Sequence, residues 1–406
     1  MTMINYTDRV NLSVAAHAIA QRFHLSPAAL GWLLSAHIWP YIICLAPAGL
    51  LIDRFGYRRG GAVSVGFWSF CTLATAIVTT PLALYVARVG LGAGEAANFP
   101  IGTRAIRAWA PRREYGFAIS TLSLGQWFGT AFGAMTVGAV VQHFGWRGAF
   151  VFTGMLGLVW LVVWLLFIRD PQETRWLESE ECAQILAERE VGSHASGDIL
   201  QLLRSQSLWA LGLAQGAFVY EAYMLLSWLP NFLQTQRGIA IFRSGLYTAI
   251  IYGTAVVVSI LLARLSDRWL GQDALRHGAR KWVVAASFLP AMLVAMIPAI
   301  GATWILVAAL TVSVSFLANG IALNTALCND LIRRPQDAGT AVALFTLISN
   351  LVGVTAPIVT GYVVGATGRF NGAFWLTGMI LFAGVIVLLA LVGGPIGAAE
   401  RMERLA

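Results

Sequence analysis

Residues Gly49–Arg59 read GLLIDRFGYRR. An aspartate and three arginines stand directly after one apolar run, roughly 31–52, and directly before another, roughly 61–80. Each run has about the 20 residues that a helix needs to cross the hydrocarbon layer of a bilayer. A solvated basic loop explains the arginines, but not Asp53 set between Gly49 and Gly56. The pattern recurs at Leu261–Lys281, LLARLSDRWLGQDALRHGARK, with an Asp-Arg pair just past an apolar run and more basic residues after it. One loop between two spans, met again in the second half, predicts two related helical bundles.

Outward from that loop the chain stays apolar. Of its 406 residues 58% are hydrophobic and only 11% charged, with mean hydropathy +0.72. That lies far outside the usage of soluble domains. Twelve spans can be laid along it, roughly 3–22, 31–52, 61–80, 83–104, 115–141, 148–168, 207–234, 244–266, 281–300, 303–331, 338–364 and 373–394. The expectation is an all-α membrane protein: a six-helix bundle over 1–168, a cytoplasmic linker over 169–206, a second six-helix bundle over 207–394 and a cytoplasmic tail over 395–406. GSHASGD, residues 192–198, reads as a hinge within the linker.

Basic residues give the orientation. Arg54, Arg58 and Arg59; Arg104, Arg107, Arg112 and Arg113; Arg169, Arg175, Arg189 and Arg204; Arg264, Arg268, Arg276, Arg280 and Lys281; Arg333 and Arg334; and Arg401 and Arg404 mark one side. Arg22, Arg147, Arg237, Arg243 and Arg369 mark the other. By the positive-inside rule both termini are cytoplasmic. The net charge of +8 is therefore a signal of topology, and no nucleic-acid partner is expected. Cys44, Cys71, Cys182 and Cys328 are scattered and read as packing residues.

GLLIDRFGYRR resembles the signature loop between helices 2 and 3 of the major facilitator superfamily. In that superfamily the loop latches the cytoplasmic helix ends, which implies this role for Gly49, Asp53, Arg54, Gly56 and Arg58. YTDRVNLSVAA (6–16), LYVARVGLGAGEAANFP (84–100), LGQWFGTAFG (124–133), GWRGAF (145–150), LSWLPNFL (226–233) and TAPIVTGY (355–362) are similar, more narrowly, to the anion:cation symporter family. Its members include bacterial D-galactonate, hexuronate and glucarate transporters. The span-5 pattern of drug/proton antiporters, a Gly-Pro with a following Gly pair, is missing from GQWFGTAFGAMTVGA.

Within the spans of the first half stand two acids, Asp8 and Glu95, and two cations, Arg9 and Arg88. A charge at the bilayer centre costs roughly 2.5–3.5 kcal/mol on insertion scales, so it faces a partner or a wet cavity. Asp8 and Arg9 are consecutive, about 100° apart around a helix, and cannot pair face to face. Arg88 and Glu95 share a helix face about 10 Å apart along the axis. Asp8 is thus expected to meet Arg88 or to approach Glu95 across the bundle.

The family resemblance assigns proton coupling to Asp8 and Glu95 and the binding of a substrate carboxylate to Arg9. It places Tyr6, Tyr41, Arg88 and Gln126 at pocket or supporting positions. His37, in SAHIW, either reads a substrate group, adds a titrating site or is simply hydrogen-bonded. After Phe345 the family has a substrate-binding Asn where this chain has Thr346, while Asn350 is retained; an aromatic of span 10 is replaced by Thr325. Glu221, in span 7, has no counterpart in the family pattern; it is either a further cavity acid or a residue near a wet helix end. Asn319, Asn324, Asn329 and Asp330 are spread around span 10, Asp330 toward its cytoplasmic end. Glycines 125, 129 and 133 predict close helix packing. Only seven residues precede Asp8, where a midplane position needs about ten, so the first helix is expected to be short at its N-terminus.

The reading is a proton-coupled symporter of an organic anion, a sugar acid first (aldonate, hexuronate or aldarate), working as a monomer in the inner membrane. A carrier of an aromatic or dicarboxylic anion and a non-transporting sensor on the same fold are the alternatives. No metal-ligand spacing, nucleophile elbow or phosphate loop stands in the chain, so neither catalysis nor a cofactor is expected.

Overall fold

A computed structural model describes residues 1–111, 114–174, 177–188, 199–269 and 280–397. Arg112, Arg113, Arg175, Arg189, Arg276, Arg401, Arg404 and the 192–198 hinge lie outside the described residues, as do the side chains of Asp267 and Arg268. The regular structure of the described residues is helical, apart from one isolated bridge, Ile332 to Ile396.

The helices are α1 (Thr2–Phe23), α2 (Pro27–Ser35), α3 (Ile38–Phe55), α4 (Tyr57–Ile77), α5 (Pro81–Glu95), α6 (Asn98–Trp109), α7 (Tyr115–Phe167), α8 (Ser179–Glu188) and α9 (Ile199–Leu203). Then come α10 (Gln206–Thr235), α11 (Ile241–Trp269), α12 (Arg280–Ala291), continued as 3-10 helix through Ala299, α13 (Thr303–Leu331), α14 (Ala338–Gly353), α15 (Thr355–Thr367) and α16 (Asn371–Leu391). Starts and stops follow local chemistry. Ser26 and Thr80 accept from the amides of Ala29 and Ala83, each with Pro at the first helical position. Gly56, at φ +79°, makes the sharp step from α3 to α4 that a side chain would strain.

Eight helical stretches among the described residues are long and apolar enough to cross a membrane. One, Tyr115–Phe167, is 53 residues long and contains both spans expected between 115 and 168, joined at Gly145 (φ 71°, ψ 175°). The longer helices outside that set are α1, α5 with α6, and α10, and these bury Asp8, Arg9, Arg88, Glu95 and Glu221. Large apolar side chains such as Ile43, Leu50, Phe70, Ile77, Leu82 and Phe117 face outward. Such a surface suits hydrocarbon, in which backbone groups must be satisfied within each helix. This is a multi-pass membrane protein.

The chain forms two compact units, Met1–Gly192 with Ser227–Ala249, and Ser193–Leu226 with Ile250–Ala406. The α10–α11 turn and the helix ends it joins thus group with the first unit. There Gln234 Nε2 donates to the Val14 carbonyl (3.2 Å), and a Cβ on Gly245 would strike the Ala134 carbonyl.

In the first unit α1 is seated on α7. A Cβ on Gly129 would run into the Met3 carbonyl, and one on Gly133 would lie 2.8 Å from Thr7 Cα. Thr7 Oγ1, which also lies 2.9 Å from the Met3 carbonyl, reaches the Gly129 carbonyl at 3.2 Å. The glycine ridge read from the sequence is therefore the seat of the helix that carries Asp8 and Arg9.

Candidate functional site

Two helices of the first unit are interrupted in mid-course, at Ala36–His37 between α2 and α3 and at Ala96–Ala97 between α5 and α6. The interruptions meet: a Cβ on Gly92 would overlap the His37 carbonyl. Ser64 Oγ donates to the Gly94 carbonyl at 2.8 Å, drawing α5 against α4. Gly92 and Gly94 thereby bring Glu95, at the end of α5, into the interior beside α1.

Arg9 Nε donates to Glu95 Oε2 at 2.9 Å, in a pair whose side chains are 5% and 0% exposed. The guanidinium carbon lies 4.8 Å from the centre of the Tyr6 ring and 4.6 Å from that of Tyr41. Two aromatic faces thus hold the cation while one carboxylate oxygen binds it. Glu95 Oε1 has no hydrogen-bond partner, and the Asn5 amide, which faces Glu95, is likewise unpaired.

Asp8 is fully buried, and neither of its oxygens accepts a hydrogen bond. The Thr72 and Thr153 hydroxyls and the Arg88 guanidinium face it. Thr153 Oγ1 accepts from Asn11 Nδ2 at 2.9 Å, which leaves its own proton free to donate. Arg88 donates to Thr75 Oγ1 and lies over the Phe150 ring, 5.0 Å from its centre; its Nε is unpartnered. Arg88 and Glu95, the alternative partners expected for Asp8, are both its charged neighbours; neither is hydrogen-bonded to it, and the tight ion pair is Arg9 with Glu95. His37 is buried close by, with Arg9 and Arg88 as its charged neighbours.

Of the residues singled out in the first half, Asp8, Arg9, Glu95, Tyr6, Tyr41, Arg88 and His37 share one interior. Gln126 is half-buried on α7, within the glycine ridge under α1. Asn5, Asn11, Thr72, Thr75, Phe150 and Thr153 belong to the cluster as well and were not foreseen. A signal existed for two of them: Asn5, Asp8 and Asn11 stand at three-residue steps, on one face of α1.

Asn350 and Thr346 lie on α14 in the second unit. Tyr223 Oη donates to Asn350 Oδ1 at 2.7 Å, Asn350 Nδ2 donates to the Thr346 carbonyl at 2.8 Å, and Thr346 Oγ1 donates to the Val342 carbonyl. Gln215 joins Asn324 (2.9 Å) and Thr325 (3.5 Å). Asp330 pairs with Arg280 at 2.9 Å.

In the last turn of α3, Asp53 Oδ1 pairs with Arg104 Nη2 of α6 at 3.0 Å. Arg58 reaches Glu173 (3.4 Å) and the Leu165 carbonyl, and Arg54 lies over Phe55. A Cβ on Gly49 would meet nothing within 4 Å, so no close approach inside its unit requires this glycine.

The sequence profile described as Major Facilitator Superfamily matches residues 1–275. "Probable galactarate/D-glucarate transporter GudP" of Escherichia coli (strain K12) is 30% identical over 97% of this chain and 91% of its own length. "Probable sulfoacetate transporter SauU" of Cupriavidus necator is also 30% identical, over 96% of this chain and 91% of its own. The solved structure of a D-xylose-proton symporter superposes with TM-score 0.73 at 15% identity, covering 97% of this chain and 95% of that one, and so shares the fold. The loop motif and the paired bundles predicted this kinship, and the chain belongs to the Major Facilitator Superfamily.

Proposed function

We propose that the protein is a secondary active transporter that imports an organic anion together with protons by alternating access. The reading includes a monomer in the inner membrane with both termini cytoplasmic. A sugar acid is the first substrate class, in keeping with the name of the glucarate relative. One observation carries the proposal: the buried Arg9–Glu95 pair, with Asp8 beside it on the same helix.

The chemistry is a competition for Arg9. With Glu95 ionised, its carboxylate holds the guanidinium. A proton on Glu95 removes that charge, and a substrate carboxylate takes its place, with a bidentate hold open to a guanidinium. Tyr6 and Tyr41 keep the cation in position through the exchange. Asp8 takes a second proton near Arg88. Two acids and two arginines are neutral when all are ionised, so each anion bound is balanced by protons gained. Release of substrate and protons inside returns Arg9 to Glu95. Substrate and proton occupancy are thus linked by one shared charge. Asp53 with Arg104 serves as one element of the cytoplasmic latch.

Uptake of labelled organic acids into membrane vesicles, with and without an imposed pH gradient, tests the proposal. Accumulation driven by the gradient supports it; uptake indifferent to the gradient removes symport, and binding without accumulation favours a sensor. The short Thr325 and Thr346 side chains and the sulfoacetate relative favour a second reading, a small dianion such as a dicarboxylate, which belongs in the same panel.

A further inference from the structure

Among the described residues of the second unit, Glu221 on α10 is a carboxyl with no exposed surface, and the mechanism above does not use it. Ser313 Oγ of α13 lies 2.5 Å from Glu221 Oε1 and 2.8 Å from the Ala291 carbonyl at the end of α12. Glu221 Oε2 has no hydrogen-bond partner. From α11 the titratable group that faces it is Tyr252. Among the described residues no lysine, arginine or histidine is an electrostatic neighbour of Glu221, and the basic groups of α12 are committed elsewhere: Arg280 to Asp330, Lys281 to the Leu389 and Val392 carbonyls.

A serine hydroxyl has one proton, so Ser313 cannot satisfy both neighbours at once. With Glu221 ionised, Ser313 donates to the carboxylate; the Ala291 carbonyl then loses that donor, and a bare charge sits in a dry interior without a cation. With Glu221 protonated, its hydroxyl donates to Ser313 Oγ, and Ser313 donates to the Ala291 carbonyl. The second arrangement gives Glu221 Oε1, Ser313 and the Ala291 carbonyl a partner each, leaving only the neutral Oε2 without one, and the orientation of one hydroxyl registers which of the two is present. Only the protonated form suits the buried geometry. The helix that carries Glu221 also stands, with α1 and α5–α6, among the long helices that fall short of full membrane apolarity, and the other two build the anion site.

We propose that Glu221, relayed through Ser313 to the Ala291 carbonyl, is a proton-binding site of the second unit, loaded when buried and emptied when water reaches it during the transport cycle. The step is the addition of one proton from water to a carboxylate and its later return. This proposal rests on the transport reading for its cycle, but not for the proton itself.

Infrared difference spectroscopy of the purified full-length protein, titrated with acid and base, reads the site without any substrate. The expected result is a protonated-carboxyl band that appears and disappears with pH, that is absent from Glu221→Gln and that shifts in Ser313→Ala, which has lost the relay hydroxyl. Sodium added at constant pH should leave the band unchanged. In proteoliposomes with the membrane potential clamped at zero, D-glucarate accumulation by Glu221→Gln under a one-unit pH gradient should fall about tenfold, because each coupled proton contributes a factor of ten per unit. A Glu221 band that never titrates, a band displaced by sodium, or wild-type accumulation in Glu221→Gln would each overturn the proposal. Absence of gradient-driven uptake in the wild-type protein itself would remove the transport reading and leave the infrared titration to decide the proton site.

Discussion

Arg9 points across the bundle to Glu95, 2.9 Å from Nε to Oε2, although its neighbour in sequence is an acid. The helix turns Asp8 and Arg9 toward different surroundings, so Arg9 is held in a tight ion pair while Asp8 lies among hydroxyls with no cation bonded to it. That asymmetry gives the two acids separate tasks. Glu95 competes directly with the substrate for Arg9, while Asp8 responds through the surrounding field and the hydroxyls of Thr72 and Thr153.

Loss of Arg9 has two separable consequences. Arg9→Ala strands Glu95 as an uncompensated buried charge, at about 3–5 kcal/mol of stability. Adding Glu95→Gln removes the stranded charge and should restore most of the thermal stability in detergent. Anion binding, read by calorimetry, should stay absent in both variants; recovery of binding in the double variant would show that Arg9 does not hold the substrate.

Neutralising the acids should separate exchange from accumulation. Asp8→Asn and Glu95→Gln resemble the protonated forms, so labelled substrate should still exchange across the membrane in counterflow. Neither variant should concentrate substrate under a pH gradient. Wild-type binding should strengthen as pH falls, since protonation of Glu95 releases Arg9, and Glu95→Gln should show a flatter profile.

The seat of α1 predicts a graded glycine series. Gly129→Ala and Gly133→Ala place a methyl group against the backbone of α1 and should cost about 1–3 kcal/mol, measured by thermal unfolding. They should also weaken anion binding, because Asp8 and Arg9 ride on the displaced helix. Gly116→Ala, on the same helix α7 with nothing within 4 Å, should be neutral or slightly stabilising.

The Asp53–Arg104 pair is 47% and 38% exposed, so breaking it should change stability by about 0–1 kcal/mol. Asp53→Asn should instead alter the transport rate, and the charge swap Asp53→Arg with Arg104→Asp should restore much of it. A rate unchanged in Asp53→Asn would leave the latch without support.

Much of this architecture could be read in advance from physical necessity. Charges inside apolar runs must face one another or water, so Asp8, Arg9, Arg88 and Glu95 announced an interior cluster. The glycine ridge at 125, 129 and 133 announced a close helix contact. The partner of Arg9 could not be read, since helical periodicity fixes the face of a side chain on its own helix and not the rotation of the neighbouring helix. The breaks at His37 and Ala96–Ala97 did carry a signal, since Pro40 and Pro100 each leave the carbonyl four residues earlier, Ala36 and Ala96, without its helical donor; the meeting of Gly92 with the His37 carbonyl could not be read, because it is a contact between distant segments. Glu221 remained ambiguous because a single acid in an apolar run shows neither its depth nor its hydroxyl partner.

The central claim, that an anion and a proton compete for Arg9, is tested most directly by counting protons during binding. Purified protein in weakly buffered solution is mixed with D-glucarate, or whichever anion the vesicle panel selects, and the pH change is recorded with an indicator dye. The account predicts that wild-type protein draws protons from solution as the anion binds, and that Glu95→Gln draws fewer. Anion binding to the wild-type protein with no uptake of protons at any pH would contradict it.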